Sequence, residues 1–407
     1  MERPLILFGA FDRHNFGDLL LAQVAAARLP GRELHFAGLA DRDLRRWDGL
    51  AVRALPELLA ELAPRRPDLL HVGGEILDCS AWQAAVMLLP PDQAQATIAY
   101  LEPRPAERAA WVERVTGGQA LVPYVASCAH LPVLHRTFFA GVGGVGLGHA
   151  PPAQRAEVLA ALRTAAFVSV RDRITLATLL DAGIPARLLP DPAALVVRLF
   201  GDRIRRQAGT GELAELRRDF PQGYLALQIS AEFADDACLA ALAAALQAVL
   251  SAAGLGLVLF RAGLAPWHDD LGVLQRLAAR LPAAAVRIMA SAHLWDICAL
   301  IACSRGYVGS SLHGRIVATA CGLPRLSLVP PVGSAQAAKL AAYVQCWELP
   351  GLPPCVEPAG LAQALRQALS VDAHALQKQA ESLATRCRTG LADLQGLLGF
   401  SGPDQRG

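Results

Sequence analysis

Short, unbroken apolar runs alternate with helix-length stretches along almost the whole chain, and that alternation leaves few folds open. In the first half Leu5–Phe8, Leu34–Ala37, Leu69–Val72, Leu121–Val125, Phe167–Val170 and Ala186–Leu189 read as strands. In the second half Tyr224–Ile229, Leu257–Phe260, Val286–Met289, Tyr307–Val308 and Leu326–Val329 do the same. Helices are expected near Leu19–Arg28, Ala81–Leu88, Ala106–Val115, Ala153–Thr164 and Ile174–Ala182. A strand covered on both faces by crossover helices reads as a continuous apolar run, whereas a half-exposed strand alternates. The pattern therefore predicts an α/β protein with two doubly wound, Rossmann-like domains facing a cleft.

Length supports two domains, since 407 residues exceed one ordinary core. Residues 1–200 read as an N-terminal α/β domain and 201–223 as a polar, Gly- and Arg-rich linker. Residues 224–360 form a second α/β domain, and 361–407 are helices and a tail that frays from 401. A net charge of +2, with no basic run interleaved with aromatics, argues against nucleic acid as a partner. Nine scattered cysteines, without CxxC or HExxH, predict neither a disulfide framework nor a metal site, and fit a reducing cytoplasm. The apolar N-terminal run is short and leads into Asp12-Arg13-His14, unlike a secretory signal. Cys238–Phe260 is uncharged and long enough to span a bilayer, but it carries Gln247 and Ser251 and is broken by Gly254-Leu255-Gly256. It is expected to be a buried helix followed by a strand, not an integral membrane segment.

Five stretches carry the chemistry. Ser310-Ser311-Leu312-His313-Gly314 reads as a strand end, a tight turn and a helix start with His313 in the first turn. Unpaired N–H groups and the helix dipole make such a start favourable for an anion, to which a histidine can offer a hydrogen bond or a proton. In Asn15-Phe16-Gly17-Asp18, Gly17 allows a tight turn, Asp18 is placed to cap a helix starting at Leu19, and Asn15 is a candidate for ligand contact. His71-Val72-Gly73-Gly74-Glu75 runs a strand into a glycine pair, either a plain turn or a close backbone approach. Apart from these five, Gly141-Val142-Gly143-Gly144-Val145-Gly146 satisfies a dinucleotide fingerprint formally, but no helix opens directly after it, so it is expected to be a mobile loop.

The fourth stretch ends a strand on Arg171, whose planar fork suits a carboxylate or phosphate; a salt bridge with Asp172 or Asp191 is the competing assignment. Asp191 itself sits between two prolines at another strand end. The fifth is Gly333–Ala341, where Lys339 is the one cation on a small-residue helix, either snorkelling at the surface or facing an anion. Arg171, His313 and Lys339 together would make a strongly anion-binding pocket.

Taken in order, these motifs resemble the polysaccharide pyruvyl transferase family. The resemblance runs from Asn15-Phe16-Gly17-Asp18 through Gly73-Gly74, Val168-Ser169-Val170-Arg171-Asp172 and Pro190-Asp191-Pro192 to Gly309–Gly314 and the lysine-bearing helix. It implies a fold similar to the GT-B glycosyltransferases. It further implies transfer of pyruvate from phosphoenolpyruvate onto a sugar of a cell-surface or exopolysaccharide, or its precursor, as a ketal. Arg171, Lys339, His313, Asn15, Ser311 and Gly314 would hold the donor, and residues 224–360 would be the donor-binding domain. His313 would supply a proton and Asp18 or Asp191 would accept one. No cofactor is implied, phosphoenolpyruvate being a substrate; the acceptor would be a sugar or glycan, free or lipid-linked, handled in the cytoplasm or at the inner face of the membrane. Some members carry arginine where this chain has Ser311, and a third small residue where it has Glu75. The alternatives are a GT-B-type glycosyltransferase using a nucleotide sugar and a non-catalytic relative. The first should offer a carboxylate to the ribose, and between His313 and Leu349 the sequence has only Glu348.

Overall fold

A computed structural model of the chain describes residues 3–331 and 335–399. Gly333, Ser334 and the tail at 401–407 lie outside the described residues. The chain divides into two compact units. The first comprises the chain up to His14, Asp18–Pro192 and the segment from Thr385 onward; the second comprises Ala193–Ala384 together with Asn15–Gly17.

In the first unit β1 (Leu5–Phe8), β2 (Leu34–Gly38), β3 (Arg42–Asp43), β4 (Ala51–Ala54), β5 (Asp68–His71), β6 (Gly74–Glu75), β7 (Thr137–Gly143), β8 (Phe167–Val170) and β9 (Arg187–Leu188) form one sheet. Its order is β3-β4-β2-β1-β5-β7-β8-β9, with β6 paired to β7. The described pairings are parallel except β3 with β4. Leu5–Phe8 is buried throughout, as the unbroken apolar run requires. Strand order reverses between β1 and β5, so the segments that follow these strands, from Gly9 and from Val72, leave from the switch point.

The second unit holds β10 (Tyr224–Gln228), β11 (Gly256–Leu259), β12 (Val286–Ile288), β13 (Gly306–Gly309), β14 (Arg325–Leu328) and β15 (Cys355–Val356). They are all parallel, in the order β12-β11-β10-β13-β14-β15. Counted from β10 this is the 3-2-1-4-5-6 order of a Rossmann sheet, with its switch point between β10 and β13. The uncharged Cys238–Phe260 stretch is helix Asp236–Ala253 followed by β11. That helix has the length and apolar composition of a membrane span, with mean hydropathy 1.7, but Leu239, Leu242, Leu246 and Val249 are buried in the core of the second unit.

Four expectations are corrected. The Gly141–Gly146 run is not a mobile loop: its first three residues end the fully buried strand Thr137–Gly143, which lies between β5 and β8, and the Val145 and Gly146 N–H groups donate to Glu75 and Asp78. Its glycines mark a bulge: Gly141 has φ +64°, the register to β8 shifts between Phe139 and Val142, and Ser169 Oγ accepts the Gly141 N–H at 2.9 Å. Leu121–Val125 forms no strand, because β7 pairs with both β5 and β8 and the Glu157 carboxylate accepts the Leu121 and Val122 N–H groups instead. Residues 201–223 are not a linker. They contain the end of helix Val196–Gln207 and helix Gly211–Asp219, both in the second unit, so the domain boundary falls at Pro192/Ala193 and not at 200. One face of the first of these helices packs inward, Phe200 meeting Trp295 at 4.6 Å between ring centroids, while Arg198, Arg205 and Arg206 are exposed. Finally, the C-terminal helices and tail expected at 361–407 are not one piece, for the described part is shared between the two units. Helix Leu361–Leu369 buries Leu361 and Leu365 in the second core, whereas the chain from Thr385 belongs to the first unit, where Arg32 and Arg136 donate to Leu398 O and Leu397 O.

Candidate functional site

At the switch point of the second unit β13 ends at Gly309 and helix Leu312–Ala320 begins after two intervening residues. Ser311 is the N-cap, its Oγ accepting the Gly314 N–H at 3.2 Å. Gln228, the last residue of β10, reaches across: its Oε1 accepts from Ser310 N at 3.1 Å, Ser311 N at 2.7 Å and Ser310 Oγ at 3.3 Å. The turn that presents His313 is thus fastened by an amide and hydroxyls. Gly314 is required here by packing, since a Cβ would lie 2.6 Å from Tyr307 Cζ, and the Tyr307 hydroxyl donates to Ser311 O. Ser311 and Gly314, expected to contact a donor, are therefore first of all partners in a cap.

His313 is 9% exposed, and a Cβ on Gly17 would overlap its imidazole. This explains the glycine better than turn geometry does, because Gly17 has no positive φ. Gly17 N–H donates to Asn15 Oδ1 at 2.9 Å, and Phe16 N–H donates to Ala262 O at 2.7 Å. With Oδ1 so assigned, Asn15 Nδ2 must be the donor in its 2.7 Å contact with His268 Nε2, which makes Nε2 the unprotonated ring nitrogen. Asn15 therefore holds the segment that packs on His313 to the loop after β11, a structural task that the sequence did not reveal. In that loop Asp269 accepts from Gly263 N and from Gln228 Nε2, at 3.3 and 2.7 Å. Burial raises its carboxyl to about 7, against the pull of these hydrogen bonds. Lys339 lies half-buried on helix Ala335–Trp347 in the same unit.

The first unit holds Arg171, Asp191, Asp18 and Glu75. Arg171, 2% exposed, donates from Nη1 to Asp191 Oδ2 at 2.8 Å and from Nη2 to Glu75 Oε2 at 2.6 Å. Burial opposes its charge, but the two carboxylates outweigh burial and raise its pKa. The fork expected to receive an anion is therefore occupied at both ends. Asp191 is fully buried in this pair, unlike a general base that must meet a sugar hydroxyl. Glu75 Oε1 also accepts the Val145 N–H, and a Cβ on Gly143 would collide with the Glu75 carboxylate. The glycine run thus wraps a carboxylate and not a pyrophosphate. Asp172 caps its helix as expected, accepting from Thr175 N and Oγ1. Asp18 does not cap: the helix starts at Phe16, placing Asp18 in the first turn, 3.8 Å from Arg13 Nη2. His71 is a satisfied core residue, its Nδ1–H donating to Phe138 O while Nε2 accepts from Ala126 N, and burial lowers its pKa to about 3.

Glu348 is committed elsewhere in the second unit. Arg315 Nε and Arg325 Nε donate to it at 3.1 and 3.0 Å; burial alone would raise its carboxyl, but the two arginines hold it at about 2. Gln228, Glu75, His268 and Asp269 were missed as site residues. A signal for Gln228 was present, a polar residue ending the otherwise apolar strand Tyr-Leu-Ala-Leu-Gln.

Residues 140–330 match the family model described as polysaccharide pyruvyl transferase, a span from β7 to just beyond β14 that includes Arg171, Asp191, Gln228 and His313. A search of curated proteins returns no match. Among solved structures, a UDP-N-acetylglucosamine 2-epimerase described as putative, from Listeria monocytogenes, is similar at 11% identity and TM-score 0.54, covering 98% of this chain and 97% of its own. The UDP-N-acetylglucosamine 2-epimerase of Rickettsia bellii is similar at 10% identity and TM-score 0.52, over 98% and 97%. An O. sativa protein in complex with UDP and deoxynivalenol-3-glucoside is similar at 12% identity and TM-score 0.51, over 97% and 100%. At such identities the likeness establishes the fold, two Rossmann-like α/β units of the GT-B type.

Proposed function

We propose that this protein transfers a pyruvyl group from phosphoenolpyruvate to two hydroxyls of one sugar in a cell-surface or exopolysaccharide, or its precursor, forming a pyruvate ketal. The observation that carries the reading is the start of helix Leu312–Ala320, fixed at a switch point by Gln228 with His313 in its first turn, within the span that matches the family model. Phosphoenolpyruvate is small and multiply anionic, which suits a helix start and a nearby lysine. In the proposed reaction His313 gives a proton to the vinyl CH2, leaving an electron-poor C2. One sugar hydroxyl attacks C2 and releases its proton to a base. The C2–O bond to phosphate then breaks, phosphate departs with the electron pair, and the second hydroxyl closes the ketal as it loses its proton. Such acid–base assistance is worth ~10²–10⁴-fold. Lys339 and the helix start would hold the donor's anionic groups. Arg171 is given a positioning role, holding Glu75 and Asp191. The reaction is proposed to run in the cytoplasm, on a free acceptor or on a lipid-linked one at the inner membrane face.

The UDP-handling fold relatives bring a nucleotide-sugar reaction into the same test. The Glu348 carboxylate, closed between two arginines, disfavours that reading. The test incubates the full chain with phosphoenolpyruvate and a panel of free and lipid-linked glycans, reading phosphate release and a pyruvyl mass increment on the glycan. Both signals appearing together support the proposal. Glycosyl transfer from a UDP-sugar, with phosphoenolpyruvate left intact, would replace it with the alternative.

A further inference from the structure

We infer that Trp267 is a stacking platform for a sugar ring; the inference rests on the acceptor being a carbohydrate, as proposed above. Trp267 is 47% exposed, and among the described residues its indole makes no hydrogen bond and no ring contact. Its backbone has φ +64°. His268 N–H donates to Ala265 O at 3.3 Å, so Ala265-Pro266-Trp267-His268 is a turn with proline second and a left-handed residue third. That is the type II pattern, whose third position suits glycine or asparagine and strains a bulky side chain. Two other non-glycine residues with positive φ, Asp48 and Arg66, each end a short 3-10 turn, where such a conformation is common. Trp267 has no such reason.

The strain is maintained because the loop is pinned on both sides of the tryptophan. Ala231 N–H donates to His268 O, Asn15 donates to the His268 ring, and Asp269 accepts from Gly263 N. A bulky aromatic held in an unfavourable conformation and left bare is an outlier of the kind found at ligand clamps. Its position agrees. The loop follows β11, at the carboxyl edge where parallel sheets bind ligands, and Asn15–Gly17 links it to the residue that packs on His313. An indole face pairs with the C–H face of a pyranose, which is apolar on one side and rimmed by hydroxyls, so the surface fits a glycan better than the anionic donor.

The test uses the full chain carrying 5-fluorotryptophan, with the Trp267 resonance identified by its loss in Trp267→Phe. Methyl glycosides of glucose, galactose and N-acetylmannosamine are titrated in, and phosphoenolpyruvate is titrated separately. The expected result is a saturable shift of the Trp267 signal with at least one glycoside and none with phosphoenolpyruvate. In the transfer assay Trp267→Gly should raise the acceptor KM about tenfold, Trp267→Phe should restore most of the loss, and Trp267→Gly should unfold in urea no earlier than the wild type. A Trp267 signal unmoved by every glycoside, with acceptor KM unchanged in Trp267→Gly, overturns the platform. A glycoside-induced shift in a protein that leaves phosphoenolpyruvate intact keeps the platform and removes the pyruvyl reaction.

Discussion

The carboxyl edges of the two sheets handle charge in opposite ways. In the first unit the ionised groups neutralise one another: Arg171 binds Asp191 and Glu75, and Arg13 lies 3.8 Å from Asp18. In the second unit the turn before His313 is held by neutral groups, the Gln228 amide and the Ser310 and Ser311 hydroxyls. The same Rossmann layout therefore yields one edge whose cation is already compensated and one whose helix start keeps its positive character for an incoming anion. A buried ion pair owes most of its effect to what happens when one partner is lost, whereas a helix start acts on whatever anion arrives.

The largest expected effects test the second edge. His313→Ala should cut phosphate release from phosphoenolpyruvate by ~10²–10⁴-fold while circular dichroism stays native. Gly17→Ala should cut it in the same direction, since the added methyl takes the space of the imidazole, and the double variant should be no worse than His313→Ala alone. Full activity in Gly17→Ala would mean that the ring position does not matter.

The first edge should respond in stability. Arg171→Met strands a fully buried carboxylate and should cost about 3–5 kcal/mol in urea unfolding. That deficit should shrink on acidification, because an orphaned buried carboxyl has a raised folded pKa and is tolerated once protonated. Arg171→Lys keeps the charge and should bind phosphoenolpyruvate like the wild type; loss of binding in a folded Arg171→Lys protein would break the contrast between the edges.

A smaller effect concerns Asp269, whose folded pKa of about 7 lies above its ordinary value of 3.8. A carboxyl raised in this way destabilises the fold as pH climbs from about 4 to about 7, where the unfolded chain has released the proton and the folded one retains it. Asp269→Asn should flatten that part of the stability profile measured by urea midpoints. An unchanged slope would show that the carboxyl is already ionised. Smallest of all, Asn15→Ala removes the bonds to Gly17 N–H and His268 and should lower stability by about 1–2 kcal/mol in the same assay.

Periodicity made the two sheets legible, because strands such as Leu5–Phe8 and Tyr224–Gln228 are buried on both faces and carry little else. It failed where glycine replaced apolar bulk. Gly141–Gly146, whose first residues end the strand Thr137–Gly143, looked like a loop because the bulge and the close approach of Glu75 exclude side chains there. Residues 201–207, the end of helix Val196–Gln207, looked like a linker because three arginines and a glycine surround the one buried residue there, Ile204. His313 and Arg171 were singled out from strand-to-helix junctions. The partners that decide their roles were hidden, since Glu75 lies 96 residues from Arg171 and the Asn15–His268 contact spans 253. Only the fold reveals that one cation is already paired while the other junction is tied by neutral groups.

The most direct test of this account is a calorimetric titration of the full chain with phosphoenolpyruvate, repeated in the presence of UDP and with His313→Ala and Lys339→Ala. The account predicts saturable binding that each substitution weakens by about tenfold or more and that UDP leaves unchanged. Displacement of phosphoenolpyruvate by UDP, or an affinity indifferent to both substitutions, would contradict it.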